Sequence, residues 1–162
     1  MIISNATPLI AFARIRQLPL FEKVVGNIII PQAVADEILT HTTSPYSGNI
    51  TVSQEPWIHI QPIQSETQVQ LLLPTLDRGE AEVITLALEC HAVTVLIDEL
   101  TGRKVAESLG LAVSGSVGIL IRAKQMGEIA AVKPYLDEMV RRGVRYSQRF
   151  ISAILRRIGE DS

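Results

Sequence analysis

Short β-branched runs alternate along this chain with stretches whose apolar residues recur every three or four positions. A run such as Val93, Val95, Leu96 and Ile97 reads as a strand buried on both faces, the habit of parallel sheets. Met1 to Ser4 reads as a strand with Asn5 at its end. Thr7 then caps a helix opened by Pro8 and carried by Leu9, Ile10, Phe12 and Ile15. Asn27 to Ile30 is a second strand, and Pro31 opens a helix through Val34, Ala35, Ile38 and Leu39. Thr40 to Pro62 is polar and proline-bearing, with a short strand at Trp57 to Ile60. Gln64 to Leu73 is a helix ended by Pro74, and Asp77 to Glu89 is a longer one that leads to the strand at Val93. Helix over Thr101 to Leu109, strand over Leu111 to Val113 and helix over Val117 to Met126 follow. Two amphipathic helices, within about residues 131–159, close the chain, with Gly143 as the stop between them.

Strands that alternate with helices predict an α/β fold, a three-layer α/β/α sandwich around a mainly parallel sheet. Residues 1–162 are expected to form one domain, enough to bury roughly 70% of the unfolded surface. Hydrophobic content of 47% against 20% charged fits a packed core and excludes disorder. No apolar run approaches the ~20 residues of a bilayer span, and the opening MIISNATPLIAF lacks the basic region of a secretory leader. The one cysteine, Cys90, excludes an internal disulfide and a thiolate metal site, so a cytoplasmic protein without a membrane partner is expected.

Net charge is −2, yet its distribution is uneven. No Lys or Arg occurs between Lys23 and Arg78, whereas nine of the 15 lie from Arg122 to Arg157. Arg141, Arg142, Arg145 and Arg149 are candidates for phosphate contact, against the plainer reading of a solvated helix face with i,i+4 partners.

Candidate chemistry lies at the strand ends, where ligands sit in open parallel sheets. Asp98 and Glu99 end the Val93 strand, and either could simply cap the helix that follows. In LDRGEAEVITLALE, helical spacing of about 100° per residue puts Glu80 with Val83, Ile84 and Ala87 on the core side, and Glu82 with Thr85 and Glu89 toward solvent. Asp77 followed by Glu80 is nearly a capping box, so Glu80 is either a ligand for metal or water or a cap partner. In IIIPQAVADEIL the spacing does not separate Asp36 from Glu37. Asn5 is a strand-end amide whose plainer role is a turn or cap. His41, His59 and His91 have no comparable context, and Gly110, Gly115 and Gly118 do not form GxGxxG. A phosphoryl-receiver domain would need adjacent acids after the first strand, and MIISNATP has none.

In this order SNATPLIAFARI, IPQAVADEIL, LDRGEAEVITLALE, VLIDELTGRKVAESLGL and VSGSVGILIRAKQMG resemble a PIN-like domain protein, of the compact prokaryotic group often encoded beside small antitoxins. The resemblance spans nearly the whole chain. It implies a Mg- or Mn-dependent endoribonuclease, the toxin of a toxin–antitoxin pair, with an RNA substrate, a small antitoxin as partner and a homodimer. It places the acidic cluster at Asn5, Glu37, Glu80 and Asp98, with Glu99 able to substitute for Asp98, and gives Glu37, Glu80 and Asp98 the catalytic roles. At the first strand end the family pattern usually has Asp, and this chain has Asn5, an oxygen donor without charge. The alternative implied by that departure is a catalytically weak or inactive PIN-like module that binds RNA or protein.

Overall fold

Five short apolar runs become strands β1 (Ile2–Ser4), β2 (Ile28–Ile30), β3 (Ile58–Ile60), β4 (Thr94–Leu96) and β5 (Ala112–Ser114). The structure is a computed structural model that describes residues 1–42, 50–92 and 94–161. Val93 and part of the polar Thr40 to Pro62 span therefore lie outside the described residues. The strands pair in parallel in the order β3-β2-β1-β4-β5. Their register lines up Ile3 with Ile29 and Val95, Ile29 with His59, and Val95 with Val113. Because β2 lies on one side of β1 and β4 on the other, strand order reverses at the β1–β4 edge. Such a reversal splays the two chain connections apart and leaves a crevice beyond the strand ends.

The helices are α1 (Ala6–Arg14), α2 (Leu18–Val25), α3 (Gln32–Thr42), α4 (Glu66–Leu72), α5 (Arg78–Glu89), α6 (Leu100–Ser108), α7 (Ser116–Gln125), α8 (Lys133–Arg141) and α9 (Gln148–Arg157). They cover the sheet as an α/β/α sandwich, the architecture expected from the alternation of elements. Helix α5 packs on β1 and β4 and against α3 and α4, while α7 packs on β5 and against α1 and α2. Ile3, Phe12, Ile30, Ile84, Leu86 and Ile97 are buried in the shared core. Phe12, Phe21 and Trp57 extend it as an aromatic row, with ring centroids 5.3 and 5.6 Å apart. No helix among the described residues is long and apolar enough to cross a membrane.

Two local expectations are corrected, and one helix is added. Helix α1 begins at Ala6 with Asn5 as its N-cap, not at Pro8 behind Thr7. Pro8 fits inside this first turn because the leading N–H groups of a helix have no intrahelical partner anyway. After Ile15 comes a helix that the apolar spacing had not marked, α2. Arg16 takes a left-handed φ of 58°, and the Gln17 N–H folds back on Phe12 O at 2.8 Å, so the chain turns before α2. Glu82 is buried rather than solvated. It accepts from the Ala33 N–H at 3.1 Å and pairs with Arg78 at 2.7 Å, because α3 packs over the side of α5 taken for solvent. Pro31 has no cap oxygen to offer α3, and Glu82 supplies one from another helix.

Candidate functional site

Asn5 leaves β1 at the β1–β4 reversal, held against β4 by its own N–H on Leu96 O at 2.9 Å. Its side chain makes no cap hydrogen bond although the residue is an N-cap, and it is only 5% exposed. The Oδ1 atom is buried without a hydrogen-bond partner. A buried amide oxygen left unpaired is costly, so its retention calls for an explanation.

Helix α5 enters the same crevice. Asp77 caps it by accepting from the Glu80 N–H at 2.8 Å. Gly79 follows, and its bare Cα lets side chains from three elements approach. A Cβ there would lie 3.2 Å from Glu37 Oε2, 3.3 Å from Asn5 Oδ1 and 3.6 Å from Asp77 Oδ1. Glu37 is half-buried, whereas Asp36 is exposed and bonded to Gln32 Nε2 at 2.9 Å. The tertiary structure thus separates two acids that helical spacing did not. Burial, and then the Asp77 charge, raise the Glu37 carboxyl above its ordinary value, with His41 opposing.

Glu80 is also 5% exposed, and its Oε2 has no hydrogen-bond partner among the described residues. That atom lies so close to Gly102 of α6 that any Cβ there would collide with it. Burial, followed by the neighbouring Asp77 and Glu99 carboxylates, pushes the Glu80 carboxyl up to about 8, with the Asp77 N–H opposing. The capping box is therefore real on the Asp77 side, while Glu80 keeps one oxygen aimed elsewhere.

The two acids after β4 part company. Asp98 accepts from the Ser116 N–H at 2.7 Å and from the Ser116 hydroxyl with its other oxygen. Burial raises its carboxyl, while Ser116 and the nearby Arg103 pull the other way. It ties the end of β4 to the start of α7, and Gly115 leaves room for Oδ1 there. Glu99 instead caps α6 through the Gly102 N–H at 2.9 Å, a bond that holds its carboxyl below the usual range. Of the pair, Glu99 is the one whose charge falls on Glu80.

Asn5, Glu37 and Asp77 thus meet at Gly79, Glu80 stands with Asp77 and Glu99, and Asp98 is engaged by Ser116. Sequence reasoning gave Asp77 only a capping role and did not mark Ser116. The spacing Leu76-Asp77-Arg78-Gly79-Glu80 held the signal for Asp77, and nothing local points to Ser116. Among the described residues, no three Asp, Glu, His or Cys side chains form a ready group for a metal ion. On the basic segment, Arg141 and Arg142 both bond Glu138, whereas Arg145 and Arg149 are exposed and form no ion pair among the described residues. Tyr146, half-buried beside them, lies near Ser116 and within reach of the Asp98 charge. Burial, and then that charge, raise its phenol.

A parallel α/β/α sandwich with oxygen donors gathered at the reversal of strand order defines a PIN-like protein. The family model DUF3368, described as a PIN domain, matches residues 1–160, and the chain belongs to this family. No curated protein and no solved structure gives a significant match.

Proposed function

We propose that this protein is a metal-dependent endoribonuclease, using Mg²⁺ or Mn²⁺, and the toxin of a toxin–antitoxin pair. The observation that carries the reading is the pair of buried, unpartnered oxygens, Asn5 Oδ1 and Glu80 Oε2, in a crevice where the other polar donors are also oxygens. Hard divalent cations select such donors over imidazole or thiolate. Asn5, Glu37 and Glu80 would hold the ion, with Glu99 or Asp98 completing the set. When bound it would polarise the scissile phosphate and lower the pKa of a hydrolytic water. Glu80 is protonated more readily than an ordinary carboxylate, so a cation must compete with its proton. Asp77 and Glu99 orient it, and Gly102 leaves space for it. Residues 1–162 as one domain, an RNA substrate, a small antitoxin, a homodimer and a cytoplasmic site belong to the same proposal.

Cleavage of a labelled RNA should require Mn²⁺ or Mg²⁺ and fall by at least about 100-fold in Glu80→Gln, consistent with losing a group that acts in the transition state. Metal-independent cleavage, or full activity in that variant, would overturn the reading. The amide at position 5, an oxygen donor without charge, favours the second reading: a PIN-like module that binds RNA or a protein without cutting. RNA binding with no cleavage under any divalent cation would support it.

A further inference from the structure

The segment from Met139 to Gly159 contains six arginines and no Asp or Glu, in a chain whose net charge is −2. Two of the six, Arg141 and Arg142, are spent on Glu138. The remaining four, Arg145, Arg149, Arg156 and Arg157, are exposed, and none forms an ion pair among the described residues. Helix α9 arranges them. Ile151 and Leu155 turn inward, while the positions three, four and seven beyond Arg149 (Ser152, Ala153 and Arg156) are all exposed and form one face. Phe150 stands at the edge of that face, 40% exposed, and stacks on Tyr146 with centroids 5.8 Å apart. The N-cap bond from the Phe150 N–H to Ser147 Oγ at 3.0 Å fixes its place in the first turn. The Tyr146 hydroxyl is buried with no hydrogen-bond partner among the described residues and feels the Asp98 charge, so this aromatic pair lies between the basic face and the end of β4.

We infer that α9 is a docking track for single-stranded RNA, with Arg149, Arg156 and their neighbours on phosphates and the open face of Phe150 under a base. Guanidinium groups free of internal partners pair with phosphate oxygens, and an exposed ring on a buried aromatic support is a rigid stacking platform. Both features favour a nucleic acid over an acidic peptide, which would use the charges and leave the ring idle. The inference rests on the nuclease reading for the purpose of the track, but binding needs no cleavage and is measured separately.

The test uses the full chain in EDTA and fluorescence anisotropy with a labelled single-stranded RNA, a duplex RNA of equal length and a polyglutamate peptide. Arg149→Gln with Arg156→Gln should flatten the log–log salt slope by about 1.4, two contacts at about 0.7 each. Phe150→Ala should weaken single-strand binding about fivefold or more and leave the salt slope unchanged. The pair Arg141→Gln with Arg142→Gln, already bonded internally, should change the slope little. Far-UV circular dichroism checks that each variant is folded. An unchanged slope in the α9 variant overturns the inference, as does equal weakening of single-strand and duplex binding by Phe150→Ala. Polyglutamate binding that tracks the same arginines, with RNA binding unaffected, would also overturn it in favour of a protein partner. Loss of cleavage with intact Phe150-dependent binding would count against the nuclease reading alone.

Discussion

At the scale of single residues, the site is governed by oxygen atoms that burial has left without partners. Asn5 Oδ1 pays a desolvation cost with no hydrogen bond in return, and its side chain does not serve the α1 cap it occupies. Asn5→Asp should therefore disturb the helix little and add a charge where a cation would sit. Tighter Mn²⁺ binding by about tenfold, or ~1.4 kcal/mol, is expected in calorimetry. Unchanged affinity would place the ion away from Asn5. Glu80 gives a pH signature of its own. Its carboxyl rises from 4.5 to about 8 on folding, so the folded chain holds that proton more tightly than the unfolded chain. The stability this contributes is complete below about pH 4.5 and is lost as pH rises through about 8. In EDTA, Glu80→Gln, which cannot ionise, should retain its melting temperature across that window better than wild type. A constant gap between the two melting temperatures from pH 5 to about 8.5 would contradict a raised carboxyl at this position.

At the scale of elements, helices α3 and α5 are joined by Glu82 as much as by apolar packing. One carboxylate receives the leading N–H of α3 and the guanidinium of Arg78, which in turn holds the exposed Glu66 of α4 in a fork at 2.7 Å. The exposed half of this network contributes little. The buried half matters because Ala33 N–H has no other acceptor in its turn. Glu82→Ala should cost about 1–3 kcal/mol in urea unfolding, while Glu82→Gln, which keeps an acceptor for Ala33, should cost less. Equal losses would mean that the charge on Arg78, not the cap, carries the effect. Since α3 also presents Glu37, the Ala variant should weaken cation binding without touching a proposed ligand.

At the scale of the whole molecule, the C-terminal pair of helices is fastened from its far end. Glu160 accepts from the N–H groups of Val132 and Lys133 at 2.9–3.0 Å and from Lys124 Nζ at 2.7 Å. Burial pushes its carboxyl up, but these donors prevail and hold it below the ordinary value. The segment after α9 thereby closes back on α7 and the start of α8. Glu160→Ala should speed amide hydrogen exchange in α8 and α9 while amides of β1 and β4 keep their protection. Uniform acceleration throughout would show instead that the whole chain opens as one unit.

Local chemistry alone was enough for much of this architecture. Short β-branched runs bounded by turn residues favour strands inside a sheet, and Asp77, Gly143 and the apolar stripes of α5, α8 and α9 state their roles within a few turns of chain. The parallel sandwich was therefore legible, as was the placement of Asn5, Glu80, Asp98 and Glu99 at strand and helix ends. What spacing could not settle depended on contacts between distant elements. Asp36 and Glu37 differ only because α3 packs on α5, and Glu82 is buried for the same reason. Arg16 ends a helix through a backbone angle that no pattern of apolar residues encodes. Asp98 turns to Ser116 and Glu99 to Gly102, eighteen and three positions away. Only the folded sheet, by bringing the ends of β1 and β4 side by side, decides which oxygens are paired and which, at Asn5 and Glu80, are left facing the crevice.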